Sequence, residues 1–221
     1  HKQQVVKGSQ SELQYAHNIT IEHTKDYVTV RLLNPWKEGS ILHTYYLVKR
    51  GTQVNVPDDG TKVVVPLQRS VIFTTAHANL VEMLKAPRAI AGVADLRYMI
   101  IPDVQRRAHR KGGIVDCGEA MKPDIERIID LRADAILLSP FENSGGYGRL
   151  EQIGVPIIEC ADYMETSALG RAEWMKFYGL LYGKEHEADS LFTVVEQNYK
   201  SLSKQASHSK ITRSVLPDRK V

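Results

Sequence analysis

Between Val71 and Cys160 the chain alternates strand-like and helix-like segments, which restricts it to a parallel sheet with helices packed on its faces. The clearest unit is KPDIERIIDLRADAILLSP, from Lys122 to Pro140. Pro123 suits a first helical position, where a missing N–H costs nothing, and Asp124 and Glu126 favour the positive end of the helix. Ile125, Ile128, Ile129 and Arg132 recur at i, i+3, i+4 and i+7, an apolar stripe along most of one face. Leu131 to Asp134 then turns, and Ala135 to Leu138 is short enough for a buried strand. RLEQIGVPIIEC repeats the logic: Gly154 ends a short helix, and Val155 to Ile158 begins the next strand. Ligands of such sheets bind at the C-terminal ends of the strands.

The rest of the chain frames this unit. The first dozen residues are polar, a composition that predicts a frayed terminus. From Ile19 to Val65 the runs ITIEH, YVTVRLL, ILHTYYLV and TKVVVPL alternate with TKD, NPWKEG and VPDDG, a pattern that predicts a small meander of hairpins. Asn34 to Gly39 is a loop from which Trp36 packs down on the sheet. Arg69 to Thr75 opens the α/β part. Helices are predicted over 79–84 and 102–110, and strands over 89–93 and 114–116. After the last strand come helices over 167–182 and 184–207, with Gly183 between them. In the second, Ala188, Phe192, Val195, Tyr199 and Leu202 step by 4, 3, 4 and 3, one continuous apolar stripe. The fold class is thus α/β: a Rossmann-like parallel sheet flanked by helices, with an N-terminal β-meander extension and a long C-terminal helix.

With 221 residues and 43% hydrophobic content the chain can bury a real core. The net charge of +3 is mild and its basic residues are interspersed with acidic ones, which argues against nucleic-acid binding. No apolar run approaches the roughly 18 residues needed to cross a bilayer, and HKQQVVKGSQSELQ lacks the hydrophobic core of a signal peptide. The two cysteines, Cys117 and Cys160, fit no metal-ligand spacing and fall after two strands, near the same end of the sheet. They are either a disulfide, in an oxidising compartment, or two small half-buried thiols.

Enzyme signatures are missing: there is no GxSxG elbow, no GxxxxGK[ST] loop and no HExxH pair. GGYG at Gly145–Gly148 is a tight turn or, less specifically, an anion cradle. Of eight histidines, His77 alone sits at a strand's C-terminal end, while His17, His23 and His43 fall on surface positions or turns of the β extension. Sheet geometry collects five loops on one edge: TTAH, ADLRY, DCGEAM, PFENSGGY and ADYMET. They bring together Thr75, His77, Arg97, Tyr98, Glu142, Asn143, Tyr147 and Tyr163 as candidate ligand-binding residues. Arg97 pairs with carboxylates or phenolates, and the tyrosines give flat amphipathic area. No resident cofactor and no metal ligand set is implied.

KPDIERIIDLRADAILLSP, then RLEQIGVPIIE, then LGRAEWMKFYGLLYGKEHEADSLF resembles the N-terminal lobe of the class III substrate-binding proteins of ABC importers, which serve iron–siderophore, haem and vitamin B12 uptake. The resemblance covers roughly Gln68 to Ser207, and the stretch from Tyr15 to Val65 is similar to a strand-rich extension seen in some members. It implies four segments: a β-rich extension (1–67), an α/β ligand-binding lobe (68–166), a helical segment with an inter-lobe spine (167–208) and the start of a second lobe (209–221). It further implies a metal-chelate or tetrapyrrole ligand held between two lobes, of which these residues encode one. The partner would be an ABC permease, with Glu126 as the exposed carboxylate that docks on it. The resemblance also implies a periplasmic or envelope location after removal of a leader, with the membrane touched only through a lipid anchor or the permease. Two alternatives stand beside this: a haem carrier using His77 or a cleft tyrosine as iron ligand, and an α/β enzyme related to metallocofactor assembly.

Overall fold

A computed structural model of the chain describes residues 13–141 and 146–214. It opens with three antiparallel neighbours, β1 (Ile19–His23), β2 (Val28–Leu33) and β3 (Ile41–Lys49), followed by β4 (Thr61–Val65) in the sheet order β1-β2-β3-β4. The expected meander holds for three strands and fails at the fourth. β4 runs parallel to β3, with Tyr45 opposite Thr61, and parallel neighbours need a crossover in place of a tight turn. The 50–60 linker supplies it. Its end is pinned on the face of β3: the Tyr46 hydroxyl donates to Asp59. A Cβ on Gly60 would meet the Thr44 carbonyl oxygen at 2.6 Å, so glycine is required there. VPDDG therefore covers a strand instead of turning a hairpin. In the 34–39 loop, the Asn34 side chain accepts from the Trp36 and Lys37 amides at 2.9 and 3.1 Å, and Trp36 is half-buried.

Strand and helix then alternate through β5 (Ser70–Ile72), α1 (Thr75–Met83), β6 (Ile90–Val93), α2 (Pro102–Ala108) and β7 (Val115–Asp116). A short hairpin, β8 (Gly118–Glu119) with β9 (Lys122–Pro123), leads into α3 (Ile125–Asp130), and β10 (Ala135–Leu138) and β11 (Ile157–Glu159) complete the sheet. All four pairings among these five strands are parallel, in the order β11-β10-β5-β6-β7. From β5 the chain steps outward through β6 and β7, then returns to the opposite side of β5 with β10. The winding reverses between β5 and β10, which makes their C-terminal ends a crevice.

Period-two alternation along these strands feeds two cores. Val71, Phe73, Ile136 and Leu138 pack with Ile128, Leu131 and Leu150 on one face. Ile72, Leu137 and Ile158 pack on the other with Val81 of α1 and Val104 of α2. This second core continues through Ile19, Val30, Tyr45 and Val63, so the two sheets share one interior.

Several local expectations shift. α3 begins at Ile125, capped by Asp124, whose Oδ1 accepts from the Arg127 amide at 3.1 Å; Pro123 lies in β9 and not at a first helical position. Ile129 faces solvent. Residues Gly148–Ile153 form a 3-10 turn ended by Gly154 at φ 75°, and the next strand starts at Ile157. Cys117 and Cys160 are buried and free. They follow β7 and β11, the two outer strands, about 19 Å apart across four spacings of ~4.8 Å, well beyond the reach of a disulfide.

The helix expected over 167–182 is broken at Trp174 into α4 (Ala168–Glu173) and α5 (Met175–Tyr182), and Gly183, at φ 66°, caps α5 as its position suggests. α6 (Glu185–Ser214) follows and spans about 45 Å. Its stripe is buried at Ala188 and Phe192 but exposed at Val195, Tyr199 and Leu202, because the helix outruns the lobe. Residues 209–214, which the resemblance assigns to the start of a second lobe, continue this helix. The rest of that segment, 215–221, lies outside the described residues. Buried carboxylates strap the segment before β1 to α4. Glu173 accepts from the amides of Gln14, Tyr15 and Ala16 at 2.8–2.9 Å, and Glu165 from those of His17 and Asn18 and from the Trp174 indole.

Candidate functional site

The crevice between β5 and β10 holds a hollow of about 340 Å³. Phe73 and Thr74 enter it from the end of β5, Leu138 and Ser139 from the end of β10, Met121 and Pro123 from the β8–β9 hairpin, and Phe141 and Tyr147 from the following loop. Thr74 also caps α1, its side chain accepting from the His77 amide, so the chain turns sharply and Thr75 stands exposed beside the hollow.

A second hollow of about 470 Å³ adjoins it through Met121 and is bordered by Asp95, Arg97, Tyr98, Asp116 and Glu119. Asp95 adopts φ 50°, and its carboxylate accepts from the Ala120 amide at 3.2 Å, which ties the loop after β6 to the hairpin. The Arg97 guanidinium lies 4.5 Å over the Tyr98 ring and donates to its hydroxyl. This pair offers a cation and an aromatic face together. Around the two hollows large apolar side chains stand in water: Met121 is 88% exposed, Tyr98 62%, Phe141 54% and Tyr163 45%. Exposed apolar surface gathered on one rim marks a binding face.

Of the eight residues singled out from sequence, Tyr147 lines the first hollow and Arg97 and Tyr98 the second, while Thr75 and Tyr163 line neither. The Tyr163 hydroxyl donates to the Pro140 carbonyl and so braces the loop that presents Phe141. His77 does not join them. Its ring is buried, with Nε2 2.8 Å from Asp162 Oδ1, Nδ1 bonded to Thr74 Oγ1 and the Tyr178 ring edge-on at 5.5 Å. Both nitrogens are engaged, so His77 fixes the start of α1 and offers nothing to an iron. Glu142 and Asn143 lie outside the described residues.

Sequence reasoning passed over Phe73, Met121 and Phe141. The available signal was an apolar residue inside an otherwise polar loop directly after a strand. It also placed His43 on the surface, whereas His43 is half-buried at the junction with the β-sheet, 2.9 Å from Glu159. Glu126 stands in the first turn of α3, mostly exposed, 3.7 Å from the equally exposed Arg149.

Neither thiol is poised for chemistry. Burial raises Cys117 to about 12, with Asp116 and Asp124 adding to it, and burial likewise holds Cys160 well above the ordinary thiol value. Among the described residues, no three His, Cys, Asp or Glu side chains are grouped to hold a metal ion, and no helix is long and apolar enough to cross a membrane.

Comparison with known proteins agrees with this architecture. Among curated proteins, the chain is 27% identical over 163 residues to the uncharacterized lipoprotein MJ0878 of Methanocaldococcus jannaschii, covering 70% of this chain and 39% of that protein. It is 24% identical over 220 residues to the uncharacterized lipoprotein MJ0872 of the same organism, covering 93% and 56%. The chain thus spans about half the length of these relatives or less. Among solved structures, an ABC transporter substrate-binding protein from Listeria monocytogenes aligns with a TM-score of 0.51 at 18% identity, over 63% of this chain and 50% of that one. The petrobactin-binding protein YclQ of Bacillus subtilis aligns with a TM-score of 0.50 at 17% identity, over 64% and 47%. At such identities the likeness is one of fold, the class III fold with its parallel sheet and long helix. Residues 71–217 match the family model for periplasmic binding proteins, and the chain belongs to that family.

Proposed function

We propose that this chain forms one face of the ligand cleft of an ABC importer's substrate-binding protein, and that its ligand is a bulky metal chelate or tetrapyrrole of the siderophore, haem or corrinoid kind. The observation that carries this reading is the apolar rim around the β5–β10 crevice. A compact protein has no packing reason to hold Met121, Phe141 and Tyr98 in water together, and a broad, partly apolar ligand would cover them. Thr75 adds a hydroxyl, Tyr147 and Tyr163 add aromatic surface, and the Arg97–Tyr98 pair adds a cation for carboxylate or phenolate groups on the ligand. Glu142 and Asn143, next to Phe141 in sequence, remain in the proposed ligand-binding set.

Glu126 fits a docking role for a permease, since a carboxylate on an exposed first turn loses little by leaving Arg149 for a partner's arginine. An extracytoplasmic, lipid-anchored setting agrees with the lipoprotein names of the two archaeal relatives. Binding without turnover is the reading for the chemistry. The test is titration of a ferric catecholate siderophore, haemin and cyanocobalamin against the chain and against a Met121→Ser/Phe141→Ser variant. One ligand class should bind, and the variant should weaken it about tenfold from lost apolar contact. Binding that ignores both substitutions, or no binding by any class, would contradict the proposal.

A further inference from the structure

Tyr147 is a wall common to two cavities. It borders the hollow of about 340 Å³ at the strand ends and a separate hollow of about 510 Å³ between the α/β lobe and the β-sheet. On the second side its hydroxyl donates to Glu159 Oε2 at 2.9 Å. Glu159 ends β11 and is only 5% exposed. Its other oxygen lies 2.9 Å from His43 Nδ1 on β3. The His43 Nε2 is 2.7 Å from Thr61 Oγ1 on β4, and the His43 ring stacks on Tyr45 at 4.2 Å, tilted by 3°. The Tyr45 hydroxyl in turn accepts from the Glu159 amide at 2.9 Å and donates to the Ile157 carbonyl at 2.7 Å.

We propose that His43 and Glu159 are positioning residues for the ligand cavity: through them the β-sheet sets the orientation of Tyr147 and so the shape of the cavity wall. The inference rests on the ligand occupying the strand-end hollow, as proposed above. Two features give it force. The Tyr147 backbone is set by the turn it opens, its amide donating to Glu151 and its carbonyl accepting from the Leu150 amide, and the hydroxyl bond to Glu159 then directs the ring. That bond is charge-assisted and sheltered, which makes it stronger than a surface hydrogen bond. Both protonation states of the imidazole keep the chain of contacts intact. The neutral ring with its proton on Nδ1 donates to Glu159 and accepts from Thr61, and the imidazolium donates to both. With the hydroxyl held on the seam side, the strand-end hollow meets an aromatic face, which favours the flat rings of a chelate or macrocycle over a compact polar solute.

The test is a double-mutant cycle on ligand affinity, with haemin, a ferric catecholate and cyanocobalamin as probes. His43→Ala should weaken the bound probe about fivefold in the Tyr147 background, the size expected for one ordinary hydrogen bond, and should change little in the Tyr147→Phe background. Glu159→Gln, which still accepts from the tyrosine hydroxyl, should retain most of the affinity that Glu159→Leu loses. An equal effect of His43→Ala in both backgrounds, or none in either, would overturn the proposal. A ligand-free arm separates its failure from that of the parent reading. In carbon-13 tyrosine-labelled protein the Tyr147 phenol signal, assigned through Tyr147→Phe, should move on His43→Ala. An unmoved signal overturns the positioning role whether or not any probe binds, while a moved signal with no probe bound supports the coupling and counts against the ligand assignment.

Discussion

At the strand ends Met121, Phe141 and Tyr98 stand in water, whereas at the seam between the sheets Glu159, Glu165 and Glu173 are withdrawn from it. Both regions reverse the usual placement of apolar and charged groups, but only one of them is internally resolved. At the seam the carboxylates are answered: three backbone amides reach Glu173, two amides and an indole reach Glu165, and His43 and Tyr147 reach Glu159. A buried carboxylate so surrounded is architecture, joining the β-sheet and its leading strap to the lobe. The rim is answered only in part: the Arg97 guanidinium covers the Tyr98 ring, while Met121 keeps 88% of its surface in water. The difference teaches that an unusual group indicates binding where the fold leaves most of it uncovered.

The comparison is broken most forcefully at the seam. Glu173→Ala leaves three amide donors without their acceptor and should cost about 3–5 kcal/mol in urea unfolding; a loss below about 1 kcal/mol would mean that the strap is held by other contacts. Phe192→Ala, which empties the site against the Tyr15 ring 6.0 Å away, should cost about 3 kcal/mol. Leu202→Ala, on the exposed length of the same helix, should stay within about 0.5 kcal/mol. Equal effects at the two positions would show that α6 is covered along its length.

A smaller effect is expected from pH at the α1–α2 contact. Burial, reinforced by the neighbouring Asp103 carboxylate, raises Glu82 to about 7 from 4.5, against the pull of Arg106 and Arg107. The folded protein therefore holds a proton that the unfolded chain releases above about 4.5. The stabilisation is complete below that value, falls as pH rises toward 7 and levels off beyond it. Melting temperature should be lower at pH 8 than at pH 5, and Glu82→Gln should reduce the difference; an unchanged pH dependence in that variant would remove Glu82 from the account. Smallest of all, Glu126→Lys should alter stability by no more than about 0.5 kcal/mol while weakening transport in a reconstituted permease, and normal transport would exclude the docking role.

What could be read in advance follows from the range of each interaction. β10 was legible to the residue, since Ala135–Leu138 is a short apolar run between turn residues, and Gly183 marked the break before α6 because only a left-handed residue fits there. The parallel pairing of β4 was hidden, because it depends on Gly60 and Asp59 packing on β3, a contact no local turn pattern encodes. The strand order that creates the β5–β10 crevice is a property of the whole chain, so the rim could be named loop by loop but not its centre. His43 looked like a surface position on an alternating strand, and the partner that draws it inward, Glu159, is 116 residues away.

The central claim is that the strand-end rim is where the ligand lies. Hydrogen exchange with and without a saturating amount of the tightest-binding probe, among ferric catecholate, haemin and cyanocobalamin, tests it most directly. Protection should appear in the 73–77, 96–100, 118–123 and 138–150 segments and be absent from the 85–89 and 109–113 segments at the other end of the sheet. Protection confined to that opposite end, or spread evenly over the lobe, would contradict the account.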